Sequence, residues 1–415
     1  MRLILASSLL VAILVSGSCA PGQDFDNSLQ SIVKPHSFSI AQWEFKTILE
    51  GIMQLTFTRE GDIEDELGKV KEYFLLVKRI ENLKSEIEAT TAGNEQGDLT
   101  LLEAELNLLQ EQKAALEGIV ERILTKQIRE ALAQQGIFNP LDRYVTFKID
   151  FPPIGFRLEK PPHLLAVSPR DRIESIREIF LKQDLSLEEM ESIEAKVDKL
   201  GVSSLVVELG GLGATYPSFV SNNAGLQTTI NTAIEEWLHQ YLAFRPLGFL
   251  YVLDLVGVSR NYEIATMNET LASMVSKEIG SILYEECYPR NEDGDSETQV
   301  TTTEFDFNQE MREIRRAVDQ YLAQGEIELA EEFMEQKRQY LASMGYYIRK
   351  LNQAYFAFYG TYADSPTSIS PIGIELKELR NQSASLKDFL NSVSEMTNRQ
   401  DLIDSVTPAN NLGKE

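Results

Sequence analysis

The sequence predicts an α+β fold in which helices predominate, and three observations carry that prediction. Two long runs repeat apolar residues at three-to-four-residue steps, Leu67 to Leu83 and Leu102 to Ile123, as amphipathic helices do. Between Tyr144 and Val167 the pattern becomes extended, with Val145, Phe147, Ile149 and Phe151 alternating and prolines at 152, 153, 161 and 162, a density that suits edge strands and loops. A third stretch, Leu205 to Gly213, is apolar and Gly-rich and reads as a strand placed before a helix. At 415 residues the chain exceeds one typical core. It divides into a signal (1–20), a helical hairpin region (21–140), an α+β core (141–285) and a helical C-terminal region (286–415).

Taken in order, Met1 to Gly22 reads as a secretory signal. A single Arg2 precedes the apolar run Leu3 to Val15, too short for a membrane span, and small residues follow from Ser16 to Ala20. Two outcomes compete: cleavage after Ala20, or lipidation at Cys19, because Gly17-Ser18-Cys19 resembles a bacterial lipobox, with Ser16 where such a signal usually has Leu. A lone Cys there before a polar linker favours an envelope protein anchored to the membrane surface by lipid, the alternative being secretion. Ile40 to Leu55 reads as an amphipathic helix, and the turn residues Ala92 to Asp98 fold the two long helices into an antiparallel hairpin. Helices are expected over Arg170–Lys182 and Ser186–Leu200, then the Leu205 strand and a helix around Glu236, which Pro246 should end. Asn268 to Gly280 reads as another helix. An acidic surface loop, Asn291 to Glu297, precedes a second helical hairpin, Phe307–Gln324 with Ile327–Phe358, and a last helix from about Ser385 to Glu395.

Charge and composition narrow the function. With 39 Lys and Arg against 64 Asp and Glu, the formal charge is −25, which excludes phosphate-backbone recognition as a working hypothesis: no nucleic acid is expected as partner. Two cysteines, Cys19 and Cys287, provide no disulfide framework. Gly210 to Gly213 lacks the dinucleotide fingerprint, and the acidic loop lacks the spacing of an EF-hand.

The chemistry-bearing pattern is Glu235-Glu236-Trp237-Leu238-His239, followed by Asn268-Glu269 on the next predicted helix. Glu235 and His239 stand four residues apart and so share one helix face. The plain alternative is that the two glutamates are solvated surface groups and His239 an ordinary contact of Trp237 or Tyr241. The set resembles the metalloprotease motif H-E-x-x-H with its first His replaced by Glu235, and the later Asn-Glu pair is similar to that of the thermolysin-like gluzincins. That resemblance covers roughly residues 200 to 280. It implies a zincin-like core, Glu235, His239 and Glu269 as metal ligands, Glu236 as general base, and an extended peptide or protein substrate added to a neighbouring strand. Zn2+ is the implied cofactor; the oxygen-rich ligand set also suits Mn2+ or Mg2+, and an empty site is the other alternative.

The family places an oxyanion-stabilising Tyr or His on a later segment. Within Ala354 to Pro366, Tyr359 and Tyr362 flank Gly360, and Tyr359 is the candidate. Arg245 is a further candidate for pairing with a site or substrate carboxylate. Of the other two histidines, His36 and His163, the latter lies in a Pro-rich run and reads as surface or core edge. Two functions are thus expected: an exported metal-dependent peptide-bond hydrolase, or a catalytically inactive envelope lipoprotein that binds or scaffolds. A chance motif on a structural helical protein would leave Glu236, His239 and Glu269 far apart.

Overall fold

The computed structural model describes residues 23–40, 43, 63–91, 98–141, 151–289, 305–363 and 365–406. The expected signal and Cys19, most of the helix expected over Ile40 to Leu55, the strand residues Val145 to Ile149 and the acidic loop all lie outside them. The described chain is α+β and predominantly helical, with two small sheets.

Helix α1 (Gln23–Val33) precedes a short 3-10 turn, and α2 (Ile63–Thr91) and α3 (Leu99–Gln134) form the expected hairpin. Its direction is fixed by charge pairs that run opposite ways along the two helices, Arg79 with Glu105 at 2.8 Å and Lys126 with Glu66 at 3.6 Å. Asp98 starts α3 by accepting from the backbone N–H groups of Thr100 and Leu101. The apolar faces, Val70, Tyr73 and Val77 on one side and Val120, Ile123, Leu124 and Ile128 on the other, do not close on themselves alone. They join one continuous core with the helices of the site region and those of the C-terminus.

Next come β1 (Phe156–Leu158), β2 (His163–Pro169) and β3 (Arg177–Leu181). The helix expected over Arg170 to Lys182 is therefore corrected: after a turn, the chain comes back antiparallel along β2, with His163 opposite Leu181 and Val167 opposite Arg177. The alternation of β3 explains it. Ile179 and Leu181 enter a core shared with α1, whereas Glu178 and Phe180 point to the other face, so sheet pairing overrides a helical-looking charge pattern. Helix α4 (Leu187–Asp198) begins in a capping box of Ser186 and Glu189 and covers the first face of the sheet. Strand β4 (Val202–Glu208) pairs on the far side of β2, giving the order β3-β2-β4. The second sheet has β5 (Gly211–Leu212) at its edge, β6 (Ser218–Val220) in the middle and β1 parallel to β6.

Helix α5 (Leu226–Leu242) ends before Pro246, as expected, but Pro246 then takes the first position of a further helix, α6 (Pro246–Leu255), where its missing N–H costs nothing. Helix α7 (Tyr262–Cys287) extends beyond both expected ends. After α8 (Phe307–Ala323) and α9 (Ile327–Ser343) the expected continuous helix breaks, with Gly345 at φ +92°, and resumes as α10 (Gln353–Tyr359). Helices α11 (Ile372–Gln382), α12 (Leu386–Ser394) and α13 (Arg399–Val406) complete the chain. Helix α10 lies on the second face of the β3-β2-β4 sheet, where Ala354 packs with Leu164, Leu205 and Val207. No described helix is long and apolar enough to cross a membrane.

Candidate metal site

Helix α5 buries Ile230, Ala233, Ile234, Trp237, Leu238, Tyr241 and Leu242 in the main core. That burial fixes its rotation, and the remaining stripe of Thr232, Glu235, Glu236, His239 and Gln240 is left half-buried, with Glu236 and Gln240 against the small sheet. Against it runs α7, buried along almost its whole length. The two helices approach so closely that a Cβ on Gly280 would lie 2.0 Å from Asn231 Oδ1. This crossing brings Glu269, only 6 % exposed, to the Glu235–His239 face.

One donor atom from each of Glu235, His239 and Glu269 lies within 4.8 Å of the others, and the group could hold a metal ion. His239 Nε2 stands 3.7 Å from Glu269 Oε2. Ligands at bonding distance around one tetrahedral ion are themselves about 3.4 Å apart, so this pair needs little adjustment. The distant placement that a chance motif predicts is not found.

A buried orphan atom also fits a cation at His239. Asn268, 1 % exposed, has Nδ2 at 3.3 Å from His239 Nδ1, while its Oδ1 is buried with no partner. Amide O and N are assigned from the network they serve. With the amide turned over, Oδ1 accepts from a protonated Nδ1, which leaves the Nε2 lone pair aimed towards Glu269, as a ligating imidazole requires.

Glu236, the neighbour of the first ligand, projects to the β5 edge. Its carboxylate accepts the Gly213 N–H, and Cβ atoms on Gly211 or Gly213 would come within 2.3 Å of its Oε1 and 2.9 Å of its Oε2 respectively. One turn on, Gln240 Nε2 donates to Gly213 O at 3.1 Å, Thr215 O at 2.8 Å and Ser218 Oγ at 3.0 Å. Glu236 and Gln240 thus grip Gly213 by both backbone groups. Burial, then the charges of Glu235 and Glu269, push the Glu236 carboxyl well above the usual carboxylate range, and the Gly213 N–H offsets this only in part.

Two tyrosines meet at Glu269. Tyr251 of α6 donates a short hydrogen bond to Glu269 Oε1, leaving Oε2 for the His239 side. Tyr362, beyond the end of α10, hydrogen-bonds Glu269, and the charges of Glu269, Glu235 and Glu236, together with burial, push its hydroxyl far up. The loop is pinned beside Glu269 because Ala363 N donates to Thr270 Oγ1 at 3.0 Å. Tyr359 lies elsewhere. It packs on Tyr355 at 4.6 Å and Phe358 at 5.0 Å, and its charged neighbours are Arg349 and Glu208. Gly360 and Thr361, which end α10 and turn the chain, separate the two tyrosines, and of the two it is Tyr362 that reaches Glu269.

Arg245 is also apart from the site. Only 3 % exposed, it binds Glu395 Oε1 and Asn391 Oδ1 at 2.6 Å each and so locks the α5–α6 junction to α12. His163 is 1 % exposed with Nδ1 on Lys182 O at 3.0 Å, a position within the sheet. Tyr251 and Gln240 had no distinguishing sequence signal, the first lying in an apolar helix and the second in a polar stripe. No family model matches the chain, and neither curated proteins nor solved structures gave a match.

Proposed function

We propose that this protein is an exported, metal-dependent hydrolase of peptide bonds, with Glu235, His239 and Glu269 as the metal ligands. The observation that carries the reading is the convergence of those three donors from two crossing helices, with the half-buried Glu236 carboxyl beside them. A divalent ion there, Zn2+ in the first instance, would polarise the scissile carbonyl and acidify water. Glu236 takes a proton from the attacking water and delivers it to the departing amine. Burial raises the proton affinity of Glu236, which suits a group that must accept a proton and pass it on. Tyr362 is the donor placed to stabilise the oxyanion, and Tyr251 holds the Oε1 side of Glu269. Strand β5 is the edge of its sheet and lies beside Glu236, and an extended substrate would add to that edge.

The ligand set of two carboxylates and one imidazole favours a second reading. Two ligand charges offset the cation, so water is less acidified than beside two imidazoles, and an inactive envelope protein that binds peptides through the same cleft is the alternative. Mass-spectrometric metal analysis separates these readings from a site that holds no metal. Near-stoichiometric metal is expected in wild type and in Glu236→Gln and absent from His239→Ala. Protein that stays metal-free after dialysis against Zn2+ or Mn2+ would sink the hydrolase reading. A peptide library then decides between hydrolysis, abolished by Glu236→Gln, and binding alone.

A further inference from the structure

A cavity of about 550 Å³ opens where Arg170 just past β2, Asp198 at the end of α4, Ser203 of β4, Arg338 of α9 and the segment entering α10 come together. It shares no residue with the metal site, and its volume lies within the range of about 300–1,000 Å³ in which small molecules are held. Arg170, Arg338, Arg349 and Lys350 all line it, a concentration of cations in a chain of formal charge −25, but each is already answered. Arg170 sets Nε and Nη2 on the two oxygens of Glu331 at 2.8 and 2.7 Å, and Arg338 does the same on Glu335 at 2.7 Å each. The buried Glu194 takes Arg349, Asp198 takes Lys350 at 2.9 Å, and Glu328 adds a further carboxylate 3.8 Å from Arg170. An incoming anion would meet these carboxylates and an incoming cation these four positive groups, so neither finds an opposite charge without a partner.

What the walls leave unused is hydrogen-bonding capacity of both kinds. A guanidinium carries five N–H groups and a carboxylate occupies two of them, so Nη1 of Arg170 and of Arg338 keeps its donors. Ser203 Oγ accepts Ala354 N at 3.4 Å and retains its own O–H. Gln353, fully buried in the same lining, gives Nε2 to Arg170 O at 2.8 Å and Glu331 Oε1 at 3.2 Å, while its acceptor Oε1 has no partner. Met334 and Leu351 add apolar surface. A hydroxyl donates and accepts without bringing charge, and a sugar ring carries several of them together with C–H faces for the apolar side chains. We propose that this cavity binds a neutral, hydroxyl-rich small molecule, a mono- or disaccharide. The site is separate from the metal centre, and the proposal does not depend on the hydrolase reading.

The test is a ligand-detected NMR titration of the full chain with glucose, N-acetylglucosamine and maltose, and with succinate and putrescine as the anionic and cationic probes. Expected is one-to-one binding of at least one sugar, with an affinity that does not change between low and high salt. Arg338→Met and, independently, Arg170→Met remove the unused donors while keeping an apolar stem. Each pair they break is partly exposed, so the fold should survive, and each should weaken the sugar about tenfold. Arg172→Met, whose pair with Glu174 lies outside the cavity, and His239→Ala, at the metal site, should leave sugar binding unchanged. Binding of none of the three sugars overturns the proposal, as does binding that survives both cavity variants. An equal loss in Arg172→Met or His239→Ala overturns the assignment to this cavity. Succinate or putrescine held more tightly than every sugar, and released by salt, overturns the ligand class.

Discussion

Glu236 sits where a carboxylate is uncomfortable, buried against glycine backbone with two other carboxylates near it. Since its folded affinity for protons exceeds the unfolded one, its favourable contribution is complete below the unfolded pKa of about 4.3 and is lost as pH rises towards the folded value. Glu236→Gln, which keeps the acceptor for Gly213 N–H, should therefore stabilise the metal-free protein increasingly with pH, by up to about 1.4 kcal/mol per pH unit in that window. Urea midpoints at pH 4 and pH 8 check this, and equal gains at both values would contradict it. Asn268 acts through His239, so Asn268→Ala should weaken metal binding by roughly 10–100-fold with little change in fold. Competition with a chelating dye measures the loss. Restoring an imidazole with Glu235→His should strengthen metal binding in the same assay. Glu235 and His239 were legible because helical spacing alone puts residues four apart on one face.

At the scale of elements, the site depends on close approaches that larger residues would forbid. Gly213→Ala would place a Cβ 2.6 Å from the Glu236 backbone oxygen, a contact that side-chain motion cannot relieve. We expect it to cost about 1–3 kcal/mol and to loosen β5 from α5, seen as a lower urea midpoint and faster amide exchange in residues 211–213. An unchanged midpoint would mean that β5 is not held as described. The sequence marked this run as Gly-rich and extended but contained nothing to show that Glu236 and Gln240 grip it. Helix α6 was missed for a related reason. Pro246 signals a stop to the helix before it and a start to the helix after it equally well, and Tyr251 lay in the part not read. The Tyr359 and Tyr362 alternatives differ only in how the chain turns after Gly360, which Ala363 and Thr270 decide through a contact between distant segments.

Across the whole molecule, the β3-β2-β4 sheet is tied to the C-terminal helices by a charged network. Arg349 binds Glu194 with both terminal nitrogens, at 3.0 and 2.5 Å, and also Val206 O at 2.9 Å, while Glu194 Oε1 accepts Val206 N at 2.7 Å. Arg349→Ala would leave a buried carboxylate with the Val206 N–H and the more distant Lys350, at 3.6 Å, to answer it. A loss of roughly 2–4 kcal/mol is expected, and Glu194→Gln in the same background should recover part of it in denaturant titrations. Acid should act on different groups. Glu189, held down to about 2 by Lys182 and the Ser186 cap, and Glu335, held to about 2 by Arg338, contribute above the unfolded carboxylate range and lose that contribution as pH falls towards 2. A circular-dichroism titration should show Glu189→Gln unfolding less steeply between pH 4 and pH 2 than wild type.

What the sequence determined by itself was local and periodic: the hairpin of α2 and α3, the helix α4, the end of α5 before Pro246, and the common face of Glu235 and His239. Each follows from side chains within a few residues of one another, where spacing along the chain is already spacing in space. Only the tertiary structure decided that Arg177–Leu181 is a strand, that Glu269 meets His239, and that Tyr362 rather than Tyr359 turns to the carboxylates. These depend on pairing, helix crossing and burial between segments as far apart as Glu235 and Tyr362, and such contacts leave no period in the sequence.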